Sequence, residues 1–167
     1  MVDIITMSTN IKRNILILDD DKNIGRLLEL ILQTSRFSVT RTTNVEKALK
    51  RVKAKKPDLI ISDIMLQNES GFDLYWDLQK SPETNSIPVI FISAYPDQNI
   101  SGREKIATYG KAKSVFLAKL FSPQTLLQTI DGVLIKDAIA QTFPTGDAPA
   151  DDHPHGMVNN KVFYREG

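Results

Sequence analysis

Six polar residues of this 167-residue chain follow short apolar runs, where parallel strands would end. They are three consecutive aspartates, a fourth aspartate, a serine and a lysine: Asp19, Asp20, Asp21, Asp63, Ser93 and Lys119. Ligands of a parallel open sheet bind outside the carboxyl ends of its strands, where these side chains would converge. The sequence therefore predicts a charged site that is assembled from several separate strand ends.

Three or more carboxylates in one crevice repel each other, so they either keep protons or recruit a cation. Mg²⁺ suits this arrangement because it accepts one or two carboxylates, a carbonyl oxygen and several waters, and still leaves room for a phosphate oxygen. The acidic residues therefore predict a magnesium site, and they suggest phosphate chemistry beside it.

An aspartate can attack phosphorus and form an acyl phosphate, while a metal and a lysine offset the charge on the phosphoryl oxygens. Ser93 would offer a hydroxyl to that phosphate, and Lys119 a positive charge opposite the metal. Taken singly, Ser93 is more typical of a strand end, Lys119 of a surface and Asp21 of a helix cap. Their joint placement is what favours chemistry.

The elements that would position these residues alternate regularly along the chain. Apolar runs predict five strands, at 15–18, 37–40, 59–61, 89–92 and 115–117. Stripes at helical spacing lie between and after them, with Asn44 and Ser122 as candidate caps and 97–109 as the weakest helix. Alternating strands and helices predict an α/β fold with a doubly wound, five-stranded parallel sheet.

Composition favours one domain with a tail at each end. We expect a leader over 1–13, the domain over 14–138 and a flexible C-terminal tail over 139–167, where Pro, Gly, Asp and His replace periodic apolar residues. A net charge of +1 without a basic stripe argues against direct nucleic-acid binding. The chain has no cysteine and no membrane-length apolar run, which favours a cytoplasmic protein.

The ordered motifs resemble those of the response-regulator receiver family. Residues 15–21 look like its acidic opening, and 63–71, Ser93 with Ala94, and Lys119 match its later motifs in order. The resemblance covers roughly 14–135 and implies a flavodoxin-like sheet of strand order 2-1-3-4-5.

The resemblance also implies a role for each site residue. Asp63 would be the phosphoacceptor and a Mg²⁺ ligand, Asp20 would bind Mg²⁺ directly, Asp19 would act through water, and Met65 would supply its backbone carbonyl. Ser93 would then be a hydroxyl switch residue.

Phe116 stands where the family commonly has an aromatic ring that changes rotamer. The resemblance implies that it relays phosphorylation to the face formed by the fourth helix, fifth strand and fifth helix, through which a homodimer could form. We expect a single-domain signalling protein rather than an enzyme, with at most self-phosphorylation from small donors and self-dephosphorylation. The partners would be a histidine kinase or phosphotransfer protein and a downstream protein target, without nucleic acid or membrane.

Three residues depart from the family pattern. Gln67 replaces the usual proline after the phosphoacceptor, which would loosen that loop, and Ser70 replaces a frequent acidic residue before Gly71. Leu120 replaces the proline that usually follows the lysine across a cis bond. Because a cis bond before a non-proline residue costs about 2.5–4 kcal/mol, we expect a trans bond, which leaves the reach of Lys119 open.

Two other functions fit parts of the pattern. A haloacid-dehalogenase-type phosphatase also uses paired aspartates after its first strand, as in Asp19 and Asp21, but no acidic pair follows Lys119 closely and Asp63 would have no role. A receiver-like module that binds its partner without phosphorylation would accommodate Leu120 and Gln67, but such a module has no need to keep the acidic cluster.

Overall fold

The computed structural model describes residues 12–33, 37–95, 100–110 and 113–142, which form five strands that alternate with five helices. In chain order these are β1 (Arg13–Leu18), α1 (Lys22–Gln33), β2 (Phe37–Thr42), α2 (Val45–Ala54), β3 (Leu59–Asp63), α3 (Gly71–Gln79), β4 (Val89–Ser93), α4 (Ile100–Tyr109), β5 (Ser114–Ala118) and α5 (Pro123–Thr142). The strands are parallel and lie in the order β2-β1-β3-β4-β5, which confirms the predicted fold.

The sheet is covered on both faces because its central strands are apolar at successive positions. Every residue of β3 and β4 is buried, and so are the last four residues of β1. Alternate strand residues enter two separate cores: Leu16 and Ile60 lie in one, and Ile17 and Ile61 in the other. Continuous apolar strands of this kind are typical of parallel sheets with helices on both sides.

Polar caps begin the helices at the positions that the sequence marks. The Asp21 carboxylate accepts the backbone N–H of Asn23 at 2.8 Å, and the Asn44 side chain accepts that of Lys47 at 2.9 Å. The Ser122 hydroxyl accepts the backbone N–H of Thr125 at 3.0 Å, just before the predicted Pro123 start of α5. These bonds satisfy N–H groups that the first helical turn cannot pair.

The predicted tails fall largely outside the described residues. The leader overlaps the structure at residues 12 and 13, where β1 begins at Arg13, and α5 continues to Thr142. Residues 1–11 and 143–167 lie outside the described ranges, so their expected flexibility stays a prediction. No helix in the described ranges combines the length and apolar character needed to cross a bilayer.

Gly71 allows α3 to start directly against the end of β3. A Cβ atom at this position would lie 2.1 Å from the backbone oxygen of Asp63 and 2.5 Å from the hydroxyl of Ser62. Both neighbours are buried, so neither can move away at low cost. The absence of a side chain at Gly71 is therefore a condition for the position of Asp63.

We predict that Gly71→Ala destabilises the chain by about 1–3 kcal/mol or more, because overpacking forces the backbone at Asp63 to shift. Gly132 is the matched control, since a Cβ there meets nothing within 4 Å. Gly132→Ala should raise stability by about 0.5–1 kcal/mol, as expected for a helical glycine. Urea unfolding measures both changes, and equal stability of the two variants would show that the close approach of Gly71 has no cost.

Candidate functional site

The Asp63 carboxylate lies at the buried end of β3, with a donor on each oxygen. The backbone N–H of Met65 donates to Oδ1 at 3.1 Å, and the Lys119 ammonium donates to Oδ2 at 2.6 Å. Asp63 is 3% exposed, so little solvent weakens this ion pair. The Asp63 carboxylate is thus held in one orientation by the backbone that follows β3 and by the lysine that follows β5.

Lys119 reaches Asp63 although leucine follows it. Its backbone N–H donates to the carbonyl oxygen of Ser93 at 2.9 Å, which continues the β4–β5 hydrogen bonding by one residue. This bond fixes the start of the side chain, while Leu120 is 97% exposed and turned away from the core. Lys119 therefore reaches Asp63 because of the register of β5, although leucine follows it in place of proline.

The neighbouring charges also set the pKa of Lys119. Burial alone would lower it, but the hydrogen bond to Asp63 and the charge of Asp19 together outweigh burial and hold the pKa above its usual value. Lys119 therefore stays a cation throughout the neutral range, as a group that offsets phosphate charge requires.

Asp19 is the carboxylate with the least compensation. The backbone N–H of Asp21 donates to its Oδ1 at 2.9 Å, whereas Oδ2 is buried without a hydrogen-bond partner in the described part of the chain. The Lys119 ammonium lies 3.4 Å from that oxygen, close enough for attraction but outside hydrogen-bond geometry. Burial raises the pKa of Asp19 to about 6, and the Asp21 amide and Lys119 offset only part of the rise.

The three predicted acidic metal residues converge. One carboxylate oxygen each from Asp19, Asp20 and Asp63 lies within 4.8 Å of the others. Oδ2 of Asp19 has the Lys119 ammonium nearby but no hydrogen-bond donor in the described part of the chain, and hard oxygen ligands at this spacing fit Mg²⁺. The backbone N–H of Met65 contacts Asp63, but the role of the Met65 carbonyl as a ligand stays a prediction.

The two predicted switch residues lie on neighbouring strands. Ser93 is fully buried, and its hydroxyl accepts the backbone N–H of Tyr95 at 3.1 Å. The Phe116 ring stacks on Phe91 with 5.1 Å between centroids, and the Arg103 guanidinium of α4 lies 4.6 Å above Phe116. The two residues are therefore well placed near the site and near α4, while their switching role stays a prediction.

The site also contains three contacts that the sequence did not predict. Ser70 caps α3 in a capping box with Asp73, which the Ser-x-x-Asp spacing could have revealed. Gln67 donates its backbone N–H to Asp20 at 2.8 Å, and Phe72 packs edge-on against Phe91 at 5.1 Å. These last two contacts depend on how a loop and a helix cross the sheet, so no local spacing announces them.

Comparisons with known proteins agree with the geometry. The chain is 28% identical over 153 residues to the phosphate regulon transcriptional regulatory protein PhoB of Pseudomonas aeruginosa, covering 92% of this chain and 62% of that protein. It is 31% identical over 164 residues to the transcriptional regulatory protein GltR of the same organism, covering 96% and 64%. The chain thus spans less than two thirds of the length of these relatives.

Solved structures show the same fold. A chain from Chloroflexus aurantiacus described as a response regulator aligns with a TM-score of 0.65 at 30% identity, covering 74% of this chain and 98% of that one. The chemotaxis protein CheY4 of Vibrio cholerae aligns with a TM-score of 0.65 at 22% identity, covering 72% and 98%. The family model for the response regulator receiver domain matches residues 15–131. With that match over most of the described fold, this chain belongs to the response regulator receiver domain family.

Proposed function

We propose that this receiver domain accepts a phosphoryl group on Asp63 from a histidine kinase or phosphotransfer protein, and that it signals by contact with another protein. The observation that carries the proposal is the position of the Asp63 carboxylate, which contacts the Lys119 ammonium at 2.6 Å and lies within 4.8 Å of carboxylate oxygens of Asp19 and Asp20. A nucleophile, a fixed cation and a set of hard oxygen ligands are the groups that phosphoryl transfer to a carboxylate needs.

In the proposed transfer, one oxygen of Asp63 attacks phosphorus, and the bond from phosphorus to the donor histidine nitrogen breaks. The electron pair of that bond stays on the imidazole. Bound Mg²⁺, held by Asp20 and Asp63 directly and by Asp19 through water, would neutralise charge on the phosphoryl oxygens. The Met65 N–H keeps Asp63 oriented, as it does in the structure.

Lys119 and Ser93 would donate hydrogen bonds to the phosphoryl oxygens that do not contact the metal. The Lys119 ammonium already contacts Oδ2 of Asp63, so a small movement transfers its hydrogen bond to a new phosphoryl oxygen. The Ser93 hydroxyl accepts from Tyr95 in the structure and keeps its own proton to donate. Together they supply one charged and one neutral donor.

Signal output would follow from the contacts of Phe116. This ring packs against Phe91 and lies under Arg103 of α4, so a shift of Ser93 towards a phosphate can repack β5 against α4. We propose the surface of α4, β5 and α5 as the contact face for a downstream protein or for a second copy of this chain.

The phosphatase alternative is disfavoured by the contacts of Lys119. Such an enzyme would use Asp19 as the nucleophile, and Asp63 would be a bystander. The Lys119 ammonium lies 2.6 Å from Asp63 and 3.4 Å from Asp19, and it makes its hydrogen bond to Asp63. The lysine therefore supports Asp63 as the reacting carboxylate.

We predict that acetyl phosphate with Mg²⁺ labels Asp63 and that Asp63→Asn folds but takes no label, because an amide is a far poorer nucleophile. Asp20→Asn should slow labelling about tenfold or more by weakening the metal site. Asp21→Asn is the matched control, since asparagine also caps a helix and Asp21 serves α1.

Intact mass and peptide mapping decide among the three functions. Phosphate on Asp19 would support the phosphatase. No label from small donors or from a panel of histidine kinases would contradict phosphoryl transfer and favour the phosphorylation-independent module.

The raised pKa of Asp19 predicts a pH-dependent stability in the metal-free chain. Between pH 4 and pH 6 the folded state keeps a proton on Asp19 that the unfolded state has lost, so stability falls as pH rises through this window. With EDTA present, Asp19→Asn should therefore be more stable than the parent by about 3 kcal/mol above pH 6, at ~1.4 kcal/mol per pKa unit.

The difference between Asp19→Asn and the parent should shrink to well under about 1 kcal/mol near pH 4, where Asp19 of the folded parent is protonated and neutral. Urea unfolding across pH 4–7.5 measures it. A variant that is less stable than the parent at pH 7 would show that Asp19 is adequately compensated without a cation.

A further inference from the structure

The backbone N–H of Gln67 donates to Oδ2 of Asp20 at 2.8 Å, across 47 residues of sequence. Building on the proposed magnesium site, we propose that this amide is a positioning group that holds the Asp20 carboxylate towards Asp19 and Asp63, ready for a divalent cation. The bond occupies one lone pair of one oxygen. The second oxygen and the remaining lone pairs of Asp20 stay available for the metal.

Hydrogen bonds on both sides of Gln67 close the loop that carries it into a turn. Met65 and Ser70 form an antiparallel bridge, and the backbone N–H of Leu66 donates to the carbonyl of Glu69 at 3.1 Å. The Glu69 carboxylate accepts the backbone N–H of Val45, the first residue of α2, at 3.0 Å. The turn is thus fixed to a neighbouring helix, and its amide at position 67 is fixed in space with it.

Asp20 needs such a tether because its neighbours repel it. It is half-buried and adjoins the buried carboxylates of Asp19 and Asp63, so an untethered side chain would lower its energy by rotating towards solvent. A hydrogen bond from an N–H donor to a carboxylate is stronger than one between neutral groups, and it weakens where water reaches it. The Gln67 amide therefore opposes the rotation and keeps the three oxygens together.

The role belongs to the backbone and not to the glutamine side chain, which is exposed. Proline has no N–H, so it is the residue that would delete the tether. Alanine keeps the N–H and removes the side chain beyond Cβ. The pair Gln67→Pro and Gln67→Ala thus separates the amide from the side chain at one position.

The test is a Mg²⁺ titration of the unphosphorylated chain that is monitored by ¹H–¹⁵N NMR. This measurement reports Mg²⁺ binding without any phosphoryl transfer. Partners of metal ligands typically change affinity by about 10–100-fold, and the exposure of this bond places it at the lower end. We expect Gln67→Pro to weaken Mg²⁺ binding about threefold to tenfold and Gln67→Ala to leave it within about twofold.

A second measurement needs no variant at position 67 and covers the case in which proline disturbs the loop. In Asp20→Ala, hydrogen exchange of the Gln67 amide should accelerate at least about fivefold, because its acceptor is gone. The Lys47 amide, which donates to the Asn44 side chain at the start of α2, is the internal control and should keep its rate.

Three results would overturn the inference. The first is an equal Mg²⁺ affinity of Gln67→Pro and the parent. The second is a loss of Mg²⁺ affinity in Gln67→Ala as large as that in Gln67→Pro. The third is an unchanged hydrogen-exchange rate of the Gln67 amide in Asp20→Ala. With any of them, continued labelling of Asp63 would leave the proposed function standing. A parent chain that binds no Mg²⁺ would overturn the magnesium site together with the inference.

Discussion

The geometry of the site depends on one constraint, which is that the sheet holds three mutually repelling carboxylates close together. Asp19, Asp20 and Asp63 lie with one oxygen each within 4.8 Å, and two of them are almost fully buried. One ammonium cannot compensate all three, because Lys119 bonds Asp63 and leaves an Asp19 oxygen unsatisfied. In the proposed function, the remaining negative charge attracts a divalent cation to a position beside Asp63.

The fold maintains this unfavourable cluster through rigid apolar strands. The continuous burial of β3 and β4 fixes their register, and the register places Asp63 and Ser93 at the same edge. Gly71 lets α3 approach the end of β3, and the carbonyl of Ser93 fixes Lys119. The carboxylates stay together because the strands that carry them are buried and closely packed.

The sequence predicts the strands and the converging residues because each depends on a local pattern, whereas the strand order followed from the resemblance to the receiver family. Apolar runs of four or five residues identify buried strands, and the carboxyl ends of parallel strands meet at one edge. The reach of Lys119 could not be predicted, since it depends on a backbone bond to Ser93 and not on the residue that follows it. The Gln67 amide on Asp20 depends on a loop path that only the folded chain defines.

The most direct test of this account is the stability of the chain with and without Mg²⁺ at pH 7.5. If the cation relieves the carboxylate repulsion, Mg²⁺ at ten times its dissociation constant raises the free energy of unfolding by about 1.4 kcal/mol. The gain should disappear in a variant that carries both Asp19→Asn and Asp20→Asn, because the cluster is then neutral at two of three positions. An unchanged stability of the parent chain at saturating Mg²⁺, or an equal gain in the double variant, would contradict the account.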